Sequence, residues 1–357
     1  MRDASPFGSI IVGAHGVFIT WVFDVVRRLA ARAPHARVVQ IDREDGILSF
    51  GKDYQIYLSN YPGPAAIDAI GRGDLSVIAV VEDPADILAF QRTVIGLSHL
   101  QSIRAQTTSA VANFAIGQSD RVTVLSRDNS TDAKAVVHSI ARSLQIGLGR
   151  DEIDAVVNEV ADASGGDSLE AALKQHVRDY LAPIRFSLGD GQIDQLNLAR
   201  SVMDPLLAMA KGSAVRPISW PTPVFKFSGD PELPPPEVID VAGPARTLYY
   251  GPYFHLPPNR YRVEAFLAFS EEIEDVPFVL EFYGERFDNL ALARARIERR
   301  KAGGYRGYFV LNHVDALQSL EIRLIVERGV ERGRLSLIEL LFFVDDNTGQ
   351  MLLPSAP

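Results

Sequence analysis

The chain has no cysteine among its 357 residues. That excludes disulfides, thiolate zinc sites and cysteine nucleophiles. It has no surplus of positive charge either: 36 Lys and Arg stand against 45 Asp and Glu, a formal net charge of −9. Sequence-independent contact with nucleic acid needs a basic face to meet phosphate, so nucleic acid is not an expected partner. No apolar run reaches the roughly eighteen residues that cross a bilayer as a helix, so no membrane span is expected. The opening residues, Met1-Arg-Asp-Ala-Ser-Pro6, lack the basic-then-apolar build of a signal peptide, and the cytoplasm is the expected location. None of the seven histidines stands with another at metal-ligand spacing such as i, i+4. No metal and no cofactor is expected, and no complete catalytic constellation can be assigned from residue order.

What is present is enough to bury two cores, with 47% hydrophobic residues spread over a length that suits two domains. In the first part, short apolar runs alternate with helix-period segments. The runs are Ser9–His15, Arg37–Asp42, Tyr54–Ser59, Ser76–Val81 and Arg121–Ser126. Helical patterns cover Phe18–Ala33, Ala65–Ile70, a long stretch after Pro84, Asp132–Leu144 and Arg150–Ala163. Strands that are apolar throughout and alternate with helices form parallel sheets covered on both faces. Two more helical segments, Leu169–Leu181 and Gln192–Ala210, extend this part to residue 212. Prolines crowd residues 213–241, which read as a linker or an extended edge segment. From 242 to 357 the period becomes two, in Tyr261–Phe269, Val279–Tyr283, Gly307–Leu311, Leu320–Val326 and Leu335–Phe343. The expected architecture is an α/β parallel-sheet domain with added helices, followed by an antiparallel, jelly-roll-like β-sandwich. The basic run Arg294–Lys301 reads as a solvated helix or loop face.

Three places invite chemistry. The turn Val12-Gly-Ala-His-Gly-Val-Phe18 lies between a buried strand and a helix start, where α/β folds bind anions on free backbone N–H groups. Its candidate residues are Gly13, His15 and Gly16; the competing reading is a tight turn that needs small residues. Ser126-Arg-Asp-Asn-Ser-Thr-Asp132 follows the fifth strand on the same sheet edge. Arg127 and Ser130 there can serve an anion, or Arg127 is a surface residue and Ser130 or Thr131 a helix cap. The third is Tyr249-Tyr-Gly-Pro-Tyr-Phe-His-Leu-Pro-Pro-Asn259, at the entry to the sandwich. Trp220, Tyr250 and Tyr253 are candidate platforms for sugar rings, against the alternative that these aromatics turn into the core.

Some of these stretches resemble a known family. Ile11-Val-Gly-Ala-His-Gly-Val-Phe-Ile-Thr20 sits where P-loop sulfotransferases carry their phosphate loop. Val77-Ile-Ala-Val-Val-Glu-Asp-Pro-Ala-Asp-Ile87 is similar to their strand-turn-helix with an Arg-Asp-Pro core. Val122-Thr-Val-Leu-Ser-Arg-Asp128, with the helical segments Asp132–Ile146 and Asp151–Val157, resembles their closing strand and helices. The likeness spans roughly residues 8 to 160. It implies a P-loop-like domain with a donor site for a nucleotide phosphosulfate, in which His15 is the only basic residue of the loop. The family's phosphate-holding Arg falls on Glu82 and its Ser on Phe90. An acidic side chain at a phosphate site repels the ligand. The entry to the second domain resembles carbohydrate-binding-type sandwiches of bacterial surface-polysaccharide proteins.

The expectation is therefore a non-catalytic binding or assembly protein of bacterial envelope or exopolysaccharide production. Its partner would be a saccharide or a protein, and exposed strand edges would allow a homo-oligomer. The alternative is a divergent sulfotransferase or related group-transfer enzyme acting on a saccharide.

Overall fold

The computed structural model describes residues 7–41, 53–116, 122–180, 190–210, 216–230, 235–273, 277–284, 291–297 and 302–345. Its contacts divide the chain into two compact units, Met1–Leu196 and Asn197–Pro357.

The first unit runs β1 (Gly8–Gly13), α1 (Val17–Ala30), β2 (Ala36–Gln40), β3 (Tyr54–Ser59), α2 (Pro64–Gly71), β4 (Leu75–Val81), α3 (Pro84–Phe90), α4 (His99–Ile116), β5 (Val122–Ser126), α5 (Ala133–Leu144), α6 (Arg150–Ser164) and α7 (Leu169–Tyr180). The unit boundary falls inside α8 (Asp190–Ala210). The five strands form one parallel sheet in the order β2-β3-β1-β4-β5, with β1 central. Alternate side chains explain why both faces are covered. Ile11, Ile56, Leu58, Ile78 and Val80 enter one core with α1, α5, α6 and α7. Ile10, Val12, Tyr57, Val77 and Ala79 enter the opposite core with α2 and Ile116 of α4. Asp42, Arg121 and Leu181, the expected ends of three elements, lie outside the described residues.

The helix starts are set by local chemistry. Asp83 accepts a hydrogen bond from the Ala85 N–H at 2.7 Å, and Pro84 takes the first helical position of α3. Asp132 caps α5 by accepting from the Lys134 N–H at 2.9 Å, so the cap falls on Asp132 and not on Ser130 or Thr131. In α1 the N-cap is Gly16, which offers no side-chain acceptor, and its first turn contains no acidic residue.

The second unit contains β6 (Ile218–Pro221), β7 (Lys226–Phe227), β8 (Ile239–Asp240), β9 (Arg246–Phe254), β10 (Asn259–Phe269), β11 (Phe278–Gly284), β12 (Ala291–Ile297), β13 (Gly303–His313), β14 (Leu320–Val326) and β15 (Arg334–Val344). They form two antiparallel sheets, β13-β10-β15-β6 with β8 also on β15, and β12-β11-β14-β9-β7. Rings from the two sheets meet between them: Phe269 against Phe278 at 5.1 Å and Trp220 against Phe254 at 5.6 Å. This is a β-sandwich core. β6 and β7 come from the proline-rich stretch, and each ends its sheet, where a missing N–H is tolerated. Pro231 and Pro234 lie outside the described residues.

The basic run corrects one expectation. Arg294 and Arg296 sit on β12, an end strand, and not on a helix or loop; residues 298–301 lie outside the described residues. The strand pairs antiparallel with β11, and its arginines form ion pairs beside that pairing. Arg294 reaches Glu281 at 3.3 Å and Glu327 at 2.6 Å, and Arg296 reaches Glu327 at 3.3 Å.

Candidate functional site

The parallel sheet reverses its strand order around β1, and this is where open α/β sheets form their ligand crevice. Gly13 pairs with Val80 of β4, so Glu82 emerges from its strand directly beside the β1–α1 turn. The carboxylate then turns into that turn. Glu82 Oε2 accepts a hydrogen bond from the Phe18 N–H at 3.0 Å, in the first turn of α1. A residue from the neighbouring strand thus supplies the cap that Gly16 lacks. It also occupies the position, free N–H groups at the positive end of a helix, where an anion would bind.

The glycines of the turn are explained by close approach, since neither has a left-handed backbone. A Cβ on Gly16 would collide with the Glu82 carboxylate. A Cβ on Gly13 would meet Ile19 and the Val80 carbonyl.

Arg127 completes the arrangement. Its guanidinium lies 3.0 Å from Glu82, 2.5 Å from Asp86 and 3.5 Å from Glu170. The Glu82 side chain is only 2% exposed, whereas those of Asp86 and Glu170 are half exposed. Burial pushes the Glu82 carboxyl up to about 7, although the Phe18 N–H and the Arg127 charge both pull it down. Ser130 donates to the Ser126 carbonyl at 2.7 Å. His15 lies with its ring 5.6 Å from that of Phe90, and its backbone carbonyl accepts from Gln91 at 3.1 Å. Gly13, Gly16, His15 and Arg127 therefore converge on one sheet edge, and an internal carboxylate stands among them.

Among the sandwich candidates, Trp220 is fully buried, packed against Phe342 at 4.3 Å, and presents no face to a sugar. Trp220 alternates inward along β6 (Ile218 and Trp220 buried, Ser219 and Pro221 partly exposed), and this puts the ring in the core. Tyr250 and Tyr253 are partly exposed on β9. Tyr250 stands opposite Arg323 of β14. Arg323 grips Glu321 with two hydrogen bonds of 2.9 Å and lies 4.2 Å over the Tyr283 ring. The Tyr283 hydroxyl donates to Glu281 at 2.6 Å. Tyr253 also hydrogen-bonds Glu321, and burial pushes its hydroxyl up to about 12. Its backbone is left-handed, with φ of 64°, a conformation a tyrosine rarely adopts without support from its surroundings. Sequence reading found two tyrosines of this group but missed Tyr283, Arg323 and Glu321. The alternation of Leu320–Val326 places Glu321 and Arg323 on one outward face, and that was the available signal.

Known proteins offer only distant likeness. No family model matches the chain, and no curated protein matches it. The crystal structure of mouse sulfotransferase SULT7A1 complexed with PAP aligns over 59% of this chain and 85% of that one, at 10% identity and a TM-score of 0.35. The carbohydrate-binding module TmCBM61, in complex with β-1,4-galactotriose, aligns over 30% of this chain and 69% of that one, at 12% identity and a TM-score of 0.23. Likenesses of this size assign the chain to neither family.

Proposed function

We propose that this protein is a non-catalytic binding or assembly protein, with a degenerate nucleotide-type fold in its first unit and a saccharide- or protein-binding sandwich in its second. The observation that carries the reading is Glu82. A carboxylate that accepts the Phe18 N–H at the start of α1 and pairs with Arg127 competes with a phosphoryl or sulfonyl group for both a helix N–H donor and the cation. A divergent sulfotransferase would need both. In the sandwich, Tyr250, Tyr253 and Tyr283, framed by the Arg323–Glu321 pair, supply ring faces and planar polar groups of the kind that saccharides stack on and hydrogen-bond to. The cellular setting we assign is bacterial envelope or exopolysaccharide production, on the sequence resemblance alone.

A melting-temperature screen tests the reading. Adenosine 3′-phosphate 5′-phosphosulfate, ATP and GTP at millimolar concentration are expected to leave the melting temperature unchanged. Neutral or acidic oligosaccharides are expected to raise it, since a ligand at 100 times its Kd stabilises by about 2.7 kcal/mol. The Tyr250→Ala/Tyr283→Ala pair is expected to abolish that rise. A nucleotide-induced shift lost in His15→Ala, or turnover of a sulfonate donor, would sink the proposal.

A further inference from the structure

One edge of the sandwich lacks the protection that the others have. Among the described strands, the first sheet ends at β13 on one side and at β6 and β8 on the other, and the second sheet ends at β12 and β7. An end strand turns a row of backbone N–H and C=O groups away from its sheet, and native proteins guard such a row with short length, proline or charge. β6 has four residues and ends on Pro221, while β7 and β8 have two each. β12 carries Arg294 and Arg296. β13 runs for 11 residues, Gly303–His313, and contains no proline. Its one arginine, Arg306, is turned back onto its own sheet. It donates to Glu264 of β10 at 2.9 Å, and its guanidinium lies 5.5 Å over the Phe266 ring.

Apolar side chains stand along this edge. On the outward face Tyr308 is 75% exposed and Val310 44%. On the inward face Tyr305 packs on Phe269 at 5.3 Å and Phe309 on Phe282 at 4.9 Å, yet both residues stay partly exposed. Two glycines add an independent observation. Gly304 and Gly307 have no left-handed backbone, and a Cβ on either would meet no atom within 4 Å. Nothing among the described residues requires a glycine at these positions, and glycine inside a strand is destabilising. Such glycines are expected where a further backbone comes close.

The same strand of a second copy fits these features. Antiparallel pairing about a two-fold axis is closed and self-complementary, so one strand supplies both sides of the contact. An axis through Gly307 suits each position. It sets Gly307 against its own counterpart, Tyr305 against Phe309 of the second copy, and Arg306 against Tyr308 of the second copy. Aromatic cross-strand pairs stabilise strand pairing and cover glycines beside them. Tyr308 brings a ring to a guanidinium, and each Arg306 keeps its own Glu264, so no unpaired charges meet. Gly304 faces Val310 of the second copy, whose branched side chain takes up the room that glycine leaves. We infer that β13 pairs with the same strand of a second copy, antiparallel about Gly307, and so joins two sandwiches through one continuous sheet. The inference goes beyond the proposed function and holds with or without a saccharide on the opposite sheet.

Light scattering coupled to size exclusion, on the full chain at micromolar concentration, tests the pairing. The wild type is expected at twice the 39.2 kDa of one chain. The double variant Tyr308→Lys/Val310→Lys places two charges at exposed positions of the edge, and it is expected to run as a monomer with an unchanged circular dichroism spectrum. The chain has no cysteine of its own, so a single introduced thiol reports the register. Gly307→Cys, whose added side chain enters open space, is expected to form a disulfide-linked dimer under mild oxidation. In Gly304→Cys the two thiols would lie about 20 Å apart along the paired strands, and this variant is expected to stay unlinked. Should the double variant lose its fold, the two cysteine variants decide alone. The inference is overturned by a monomeric wild type, by a folded double variant that stays dimeric, or by Gly304→Cys linking as readily as Gly307→Cys. None of these readouts uses a ligand, so failure here and failure of the proposed function are told apart.

Discussion

Glu82→Ala is expected to destabilise the α/β unit by about 3 kcal/mol and to turn the β1–α1 turn into a site that inorganic phosphate stabilises. The substitution removes the acceptor of the Phe18 N–H and the most buried of the three carboxylates around Arg127. Removing one partner of a buried ion pair costs about 3–5 kcal/mol in general. The lower end applies here, because Arg127 keeps Asp86 and Glu170 and is itself 25% exposed. What remains is a space bounded by Gly16, the first turn of α1 and a guanidinium, which is the composition of an anion site. Urea unfolding of wild type and variant, each with and without phosphate, provides the measurement. Phosphate is expected to recover a larger part of the loss in Glu82→Ala than it adds to the wild type. Equal phosphate effects on both proteins would mean that the carboxylate is a structural cap with no relation to an anion site. A formate series serves as a second probe, since formate restores the missing carboxylate itself.

How far the sequence reveals this arrangement depends on the range of the interactions involved. The five parallel strands and most helices are legible because each depends on a local pattern: apolar runs such as Ser76–Val81, or the 3.6-residue period of α1. The acidic residue at a phosphate position is legible too, from the order Val81-Glu-Asp-Pro84. Its consequence is not. Whether a carboxylate there repels a ligand or replaces it depends on the register of β4 against β1 and on the missing cap at Gly16, and neither is a local property. The repulsion expected from sequence is, in the structure, a hydrogen bond to Phe18. The same limit applies to β12. Read alone, Ala291–Ile297 is a charged, small-residue stretch; its antiparallel pairing with β11 makes it a strand. Trp220 stays open to both readings in the sequence for a related reason. A four-residue strand, Ile218–Pro221, gives too short an alternation to say which face is inward, and the answer comes from Phe254 and Phe342 on other strands.

Stability of the α/β unit is expected to fall as pH rises from 4.5 to about 7, and Glu82→Gln is expected to remove most of that fall. Glu82 is an acid whose carboxyl is pushed up to about 7 by burial, against an ordinary value of 4.5. Between those two values the folded chain holds a proton that the unfolded chain has released, so each step up in pH favours unfolding. Below 4.5 both states are protonated, and above about 7 both are ionised, so the contribution is level outside the window. At about 1.36 kcal/mol per pH unit, the window is worth roughly 3 kcal/mol. Asp86 carries a shift of the same sign, with burial again the largest cause, so the variant should retain a weaker slope in the same direction. Carboxylates paired at the surface give the opposite slope, and the difference between wild type and variant cancels them. Glutamine keeps an oxygen for the Phe18 N–H and carries no charge, so Glu82→Gln differs from Glu82→Ala in kind: it preserves the cap and abolishes the titration. Unfolding free energies of both proteins at a series of pH values from 4 to 8 are the measurement. Parallel curves would mean that Glu82 stays ionised throughout, with Arg127 outweighing burial, and the site would then be a permanent ion pair with no proton linkage.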